Sequence, residues 1–230
     1  MSFDLSLILA APYRDWLMDG VLMSLKLTAM SLALALPLAA LLASAQISPW
    51  KWAGRVARGY VGIVRNIPLL VHILFWYFAV PELLPEPVKL ALYQHDVEPL
   101  AAIAALTLYT AAYMSEDMRS GIQSVGARQL ETARAFGFSY PAAMRYVVLP
   151  QAVRLVLPAL LSQTINLWKN SSIATVIGVA ELMNQAARVE TTLFRSAEVF
   201  ALATAIYAGV ALLLTFFARL LQQRYPAYAA

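Results

Sequence analysis

Cysteine is absent from this chain of 230 residues. Disulfide frameworks and thiolate metal sites are therefore excluded. Histidine occurs only at His72 and His95, too few for a histidine metal cluster. With no histidine in a credible relay, the many serines do not make a hydrolytic triad. Gly54 to Gly59 and Gly121 to Gly126 have the glycine spacing of a P-loop, but Tyr60-Val61 and Ala127-Arg128 follow them. A P-loop needs Lys there to reach phosphates and a hydroxyl to reach magnesium, so no ATPase or other enzyme is expected in the chain itself. Charge is also scarce, at 13%, against roughly 25% in soluble domains. The net charge of +4 is too modest to point to nucleic acid. The first nineteen residues hold Asp4, Arg14, Asp15 and Asp19. They lack the basic start and short apolar run of a cleavable signal, so the first span is expected to act as an uncleaved insertion signal.

What the chain has is apolar surface, with 61% hydrophobic residues and a positive mean hydropathy. A soluble core of this size could not hide it, which predicts an all-α membrane protein. A membrane helix needs about 20 apolar residues. Leu27 to Ala45 is free of charge and forms the first predicted span, starting near Gly20, with a kink at Pro37. Tyr60 to Val80 is the second, interrupted by Arg65-Asn66-Ile67-Pro68. Pro99 to Ser115 is the third, Arg154 to about Trp168 the fourth and Val199 to Ala218 the fifth. The third is short, with a helical stretch after it that can extend it. Lys169 closes the fourth after a short uncharged run. No repeat or linker divides the chain, so residues 1–230 are read as one membrane domain.

Basic residues near a membrane favour the cytoplasmic side. Ten lie on one side of these spans: Lys51, Arg55, Arg58, Arg119, Arg128, Arg134, Arg145, Arg154, Arg219 and Arg224. Four lie on the other: Arg14, Lys89, Arg188 and Arg195. The bias places the N-terminus outside and the C-terminus inside. The loop from Pro81 to Glu98 is then external. With Pro81, Pro85 and Pro87 limiting helix, a compact cap is expected there. Phe75, Trp76, Tyr77 and Phe78 suit the outer interface.

Residues 131–150 read E-T-A-R-A-F-G-F-S-Y-P-A-A-M-R-Y-V-V-L-P. This run resembles the "EAA" loop of ABC-importer permeases: Glu-Ala-Ala, three residues, Gly, nine residues, then Ile-x-Leu-Pro. Glu131, Ala133, Gly137, Leu149 and Pro150 match at that spacing, while Thr132 and Val147 depart with similar size and shape. Other blocks resemble the polar-amino-acid branch of that family. They are Arg65-Asn66-Ile67-Pro68-Leu69-Leu70-Val71, Ala111-Ala112-Tyr113 with Glu116, Arg119, Gly121 and Ile122, and Lys169-Asn170-Ser171-Ser172 followed by Val176-Ile177-Gly178. The R-N-x-P and K-N-S-S forms, with Trp76-Tyr77 ahead of Pro81-Glu82-Leu83-Leu84-Pro85, are most similar to the glutamate/aspartate permease subfamily.

The resemblance implies a five-span permease of a bacterial cytoplasmic (inner) membrane. It implies pairing with itself or a similar subunit, two cytoplasmic ATPase copies that hold ATP and magnesium, and an external solute-binding protein. It also implies that the loop of about residues 126–150 docks on the ATPase. In that loop Glu131 to Phe136 is expected as a short helix, Gly137 as a sharp turn, and Tyr140 to Val148 as a second helix ending before Pro150. Ala133 and Ala135 would let a partner approach, and Phe136 and Phe138 would insert into it. An amphipathic connector is the plainer alternative.

A lysine at membrane depth usually faces a bundle interior or an aqueous cavity. Lys169 is therefore a candidate substrate contact, or an interfacial lysine whose stem reaches outward. The family often has Asp at the next position; Asn170 here leaves the charge less compensated, so an acidic substrate could supply the missing charge. Asn170, Ser171 and Ser172 would add hydrogen bonds. Pro68 breaks span two and frees the carbonyl at 64. Arg65 and Asn66 beside it either line the pathway or anchor lipid headgroups. His72, one turn on, is read first as a hydrogen-bonded interior histidine and second as a substrate contact. Glu116 and Arg119, three apart, share a helix face and are read as a pair.

The expected function is inward transport of a polar amino acid, glutamate or aspartate, by alternating access. Glutamine, histidine or a basic amino acid are the rival substrates. An ion-coupled carrier or channel, or a non-transporting assembly subunit, are the rivals of another class.

Overall fold

The computed structural model describes residues 6–225, with the backbone alone at 126–128. The chain ends, whose sides the charge bias assigns, and the Arg128 side chain counted in it lie outside the described residues. Regular structure among the described residues is all helical. Four stretches are long and apolar enough to cross a membrane, and one bent helix pair makes a fifth if counted as a single span.

The first helix, α1 (Tyr13–Ile47), runs without interruption through Pro37 and begins ahead of the predicted Gly20. Its 35 residues span about 52 Å at ~1.5 Å per residue, more than a bilayer core. Small residues let it pack closely on α5 (Val97–Ser124): Ala35 and Ala39 meet Ala111 and Met114. Close backbone approach through small side chains is how helices associate in lipid.

Span two is not one helix. Between these two helices, α2 (Lys51–Arg65) stops at Asn66, and α3 (Leu69–Leu74), extended by a π turn over Phe75–Ala79, leaves at 105°. The bend follows from Pro68, which has no N–H and holds an extended backbone at φ −57° and ψ 141°. Side chains bond the carbonyls around the break. Asn66 donates to the Gly62 oxygen at 2.7 Å, the His72 Nε2 ring atom lies 3.2 Å from the Val64 oxygen, and Tyr113 donates to the Arg65 oxygen at 3.3 Å. Broken helices survive in membranes when neighbours do this.

A short turn at Pro81–Leu83 and α4 (Glu86–Leu92) form the compact cap between spans two and three. An ion pair from Lys89 to Glu82 at 2.6 Å ties them, and that carboxylate raises the Lys89 ammonium above its usual range. Span three extends well past Ser115, to Ser124.

The next segment, α6 (Gly126–Ala135), ends in a left-handed turn at Gly137, φ +87°. Phe138 N–H bonds the Ala133 oxygen and Gly137 N–H the Arg134 oxygen, the paired bonds of a Schellman ending. The short α7 (Tyr140–Ala143) follows. The expectation that this second helix stops before Pro150 is corrected. A π turn over Met144–Val148 carries it into α8 (Leu149–Asn170). Proline in a helix clashes with the carbonyl four residues back. The wider π turn makes room for it, and the Gln151 amide donates to the Val147 oxygen at 2.8 Å.

A 3-10 segment, Ser171–Ile177, and a left-handed Gly178 then lead to a helix not predicted from the sequence, α9 (Leu182–Leu193). It packs on α1 where Gly20 faces Leu182: a Cβ at Gly20 would sit 2.8 Å from the Leu182 Cα. The last helix, α10 (Ser196–Arg224), contains the predicted Val199 to Ala218.

Candidate functional site

The middle of α5 and the end of α8 meet around a cavity of about 280 Å³. Tyr109 and Tyr113 line it from α5, and Gln163, Asn166, Lys169 and Asn170 from α8. One turn separates the two tyrosines, which puts both on one face of α5. The Tyr109 hydroxyl donates to that of Tyr113 at 3.3 Å. Gln163 donates to Asp117 at 3.0 Å and so holds that carboxylate. Lys169 makes no ion pair among the described residues.

Arg65 and His72 reach the same wall indirectly. The Arg65 guanidinium stands 5.1 Å from the Tyr113 ring centre, a cation–π distance. His72 packs edge-on against Tyr109 at 5.8 Å while its other edge meets the Val64 carbonyl. Asn66 and Pro68 shape the break behind them. The serines stand apart. Ser171 is buried and its hydroxyl donates to the Trp168 oxygen at 2.8 Å; Ser172 is half-buried and donates to the Lys169 oxygen at 2.8 Å. Both hydroxyls are therefore spent on closing the end of α8. Glu116 and Arg119 form the expected pair. Tyr109, Gln163 and Asn166 were not singled out from the sequence. Their signal is polar side chains at three- and four-residue spacing within otherwise apolar spans.

The site is a small polar space whose donors are the Lys169 ammonium and the carboxamides, while the Tyr109 and Tyr113 hydroxyls already donate to Tyr113 and to the Arg65 oxygen. Such a set can hold a carboxylate without metal or covalent chemistry, and no group of metal-ligating side chains occurs among the described residues.

In the 131–150 segment, Glu131, Thr132, Phe136, Gly137 and Phe138 are all exposed, Phe136 at 81%. Leu149 and Pro150 are exposed at the start of α8. Ala133 is buried within the chain, so it faces inward rather than toward an outside surface, whereas Ala135 is exposed. An apolar groove of about 510 Å³, with Arg145 and Arg154 at its edge, lies beside this segment and away from Lys169. A polar hollow of about 500 Å³ lies at the far end of α5, around Tyr77, Glu82, His95, Asp96 and Glu98.

Residues 35–226 match the family of binding-protein-dependent transport system inner membrane components. The glutamate/aspartate import permease protein GltJ of Escherichia coli strain K12 is 32% identical over 182 residues, 77% of this chain and 74% of that one. The probable glutamine ABC transporter permease protein GlnM of Bacillus subtilis is 38% identical over 175 residues, 76% of this chain and 77% of that one. The crystal structure of an amino acid ABC transporter with histidines superposes with a TM-score of 0.84 at 32% identity, covering 97% of this chain and all of that one. This chain therefore belongs to the binding-protein-dependent transport system inner membrane components, as a non-enzymatic permease subunit of the amino-acid ABC importers, whose ATPase is a separate chain.

Proposed function

We propose that the chain carries glutamate or aspartate inward across the bacterial cytoplasmic membrane. The observation that carries this reading is the Lys169 cavity, where an ammonium group without an acidic partner among the described residues stands beside Asn170 rather than a carboxylate. A substrate carboxylate completes that pairing with charge-assisted bonds, stronger than neutral ones. With Arg65 beside Tyr113 on the same wall, the site opposes a cationic side chain. The name of GltJ supports an acidic cargo. The identity to GlnM keeps glutamine as the second reading.

The exposed turn at Phe136 to Phe138 docks on the ATPase, with Glu131 and Thr132 beside it. The unbroken helix from Tyr140 through Pro150 to Asn170 ties that docking point to Lys169. ATP-driven closure of two ATPase subunits, which hold the ATP and magnesium, moves the segment as a rigid body. The pathway then opens to an external solute-binding protein, and substrate leaves inward after hydrolysis. A second permease subunit, the same or similar, supplies the other half of the pathway, and lipid surrounds the pair.

An uptake competition panel in proteoliposomes, with the cognate ATPase and binding protein, tests this. Glutamate and aspartate should compete best, and uptake should be vanadate-sensitive. Stronger competition by glutamine, histidine or arginine would refute the acidic assignment. Vanadate-insensitive uptake would refute the coupling.

A further inference from the structure

Glu181 is a fully buried carboxylate that the transport reading leaves unused. It caps α9, accepting from the Met183 N–H at 3.0 Å and the Asn184 N–H at 2.8 Å. It also accepts from the Ser24 hydroxyl of α1 at 3.3 Å and the Tyr207 hydroxyl of α10 at 2.7 Å. Ser24, itself fully buried, accepts in turn from the Leu182 N–H at 3.1 Å. Every partner donates, so the four bonds compensate a buried anion that would otherwise be costly. A helix cap alone needs one or two such bonds; the other two reach different helices.

The chain of contacts continues to the cavity. Tyr207 packs against Trp168 with ring centres 5.3 Å apart, and the Trp168 indole donates to the Tyr207 carbonyl at 3.2 Å. Trp168 is fully buried and is the residue before Lys169. Its carbonyl is held by Ser171. The last turn of α8 is thus fixed on its buried side, while Lys169 and Asn170 face the cavity.

We propose that Glu181, acting through Tyr207 and Trp168, is a positioning residue that sets the placement of Lys169 toward the substrate. This rests on the reading that Lys169 contacts substrate. Without the Tyr207 hydroxyl bond, α10 loses its tie to the α9 cap and the Trp168 contact shifts. Loss of sub-ångström placement at a charge-assisted contact weakens it steeply.

The test uses the full permease–ATPase complex with its binding protein in proteoliposomes, with radiolabelled glutamate and, in parallel, glutamine. Tyr207→Phe removes only the hydroxyl and keeps the ring and the main-chain carbonyl. Its KM for uptake should rise about tenfold, as for the loss of one hydrogen bond to a charged group. In a Lys169→Gln background the same substitution should change KM little, because the contact it positions is gone. Glu181→Gln, which keeps the shape but turns one accepting oxygen into an NH2 donor, should also raise KM in the Lys169 background and change it little in the Lys169→Gln background. Equal KM penalties in both backgrounds, or a lower thermal midpoint with unchanged KM, would overturn the positioning role and leave a purely structural one. An unchanged KM for Lys169→Gln alone would remove the substrate contact, and the inference with it. Absence of uptake of both amino acids by the unmodified chain would do the same.

Discussion

At Asn170 a single side chain separates two roles for the lysine beside it. If Lys169 meets the side-chain carboxylate of the substrate, Asn170→Asp places a like charge next to that group. Glutamate uptake should then fall and neutral amino acids should compete better. If Lys169 instead meets the α-carboxylate common to all amino acids, the substitution should leave the preference unchanged. A competition profile of the Asn170→Asp variant decides between them. Gly121 makes a different kind of demand. A Cβ there would lie 1.9 Å from a methyl of Val156, across the contact of α5 and α8. Gly121→Ala should destabilise the folded chain by about 1–3 kcal/mol, the usual cost of overpacking. Adding Val156→Ala should recover most of it, as read from thermal unfolding in detergent.

Helix endings matter as much as helices in this chain. The Schellman ending at Gly137 requires a positive φ, which costs an ordinary residue roughly 1–2 kcal/mol and a β-branched one more. A Cβ there would meet nothing within 4 Å, so the strain comes from the backbone alone. Gly137→Val should therefore leave membrane insertion intact while reducing co-purification with the ATPase. Glu131→Lys, which reverses an exposed charge without touching the turn, should do the same by a different route. Normal ATP-driven uptake by both variants would overturn the docking role. The turn was legible beforehand, because glycine between two short helical patterns leaves few alternatives. The passage through Pro150 was not. A proline argues for a helix boundary, and only the π turn before it, together with Gln151 bonding back to Val147, makes continuation possible.

Over the whole molecule, basic residues are asymmetric about the predicted spans, ten against four, and this bias predicts an external N-terminus and an internal C-terminus. The absence of native cysteine makes the test direct. A single cysteine at Gln94 should react with an impermeant thiol reagent in intact cells, and one at Ser139 should not. The reverse pattern would mean an inverted topology. These positions flank α5 at opposite ends, so one pair of variants reports on the entire arrangement.

Runs such as Leu27 to Ala45 and Val199 to Ala218 were readable as membrane helices because hydropathy is a local property, and a run of about 20 apolar residues has few other uses. The family was readable because its blocks keep their residues at set spacing. Pro68 marked a break in span two, but its angle of 105° depends on which neighbours bond the carbonyls around the break. Those neighbours, His72 and Tyr113, are brought there by α3 and α5. The α9 helix is short and half polar; Glu181 caps it, Gly20 lets α1 approach, and Leu182, Ala186 and Val189 pack against residues of α1 and α10. The Lys169 cavity has the same character. Lys169 and Asn170 stand out along the chain, but Tyr109, Tyr113, Gln163 and Asn166 join them only through the crossing of α5 and α8. Spans and family were thus set by local composition and spacing. The bend, the added helix and the membership of the cavity were decided by tertiary contacts, because each depends on groups far apart in sequence satisfying one another's hydrogen bonds.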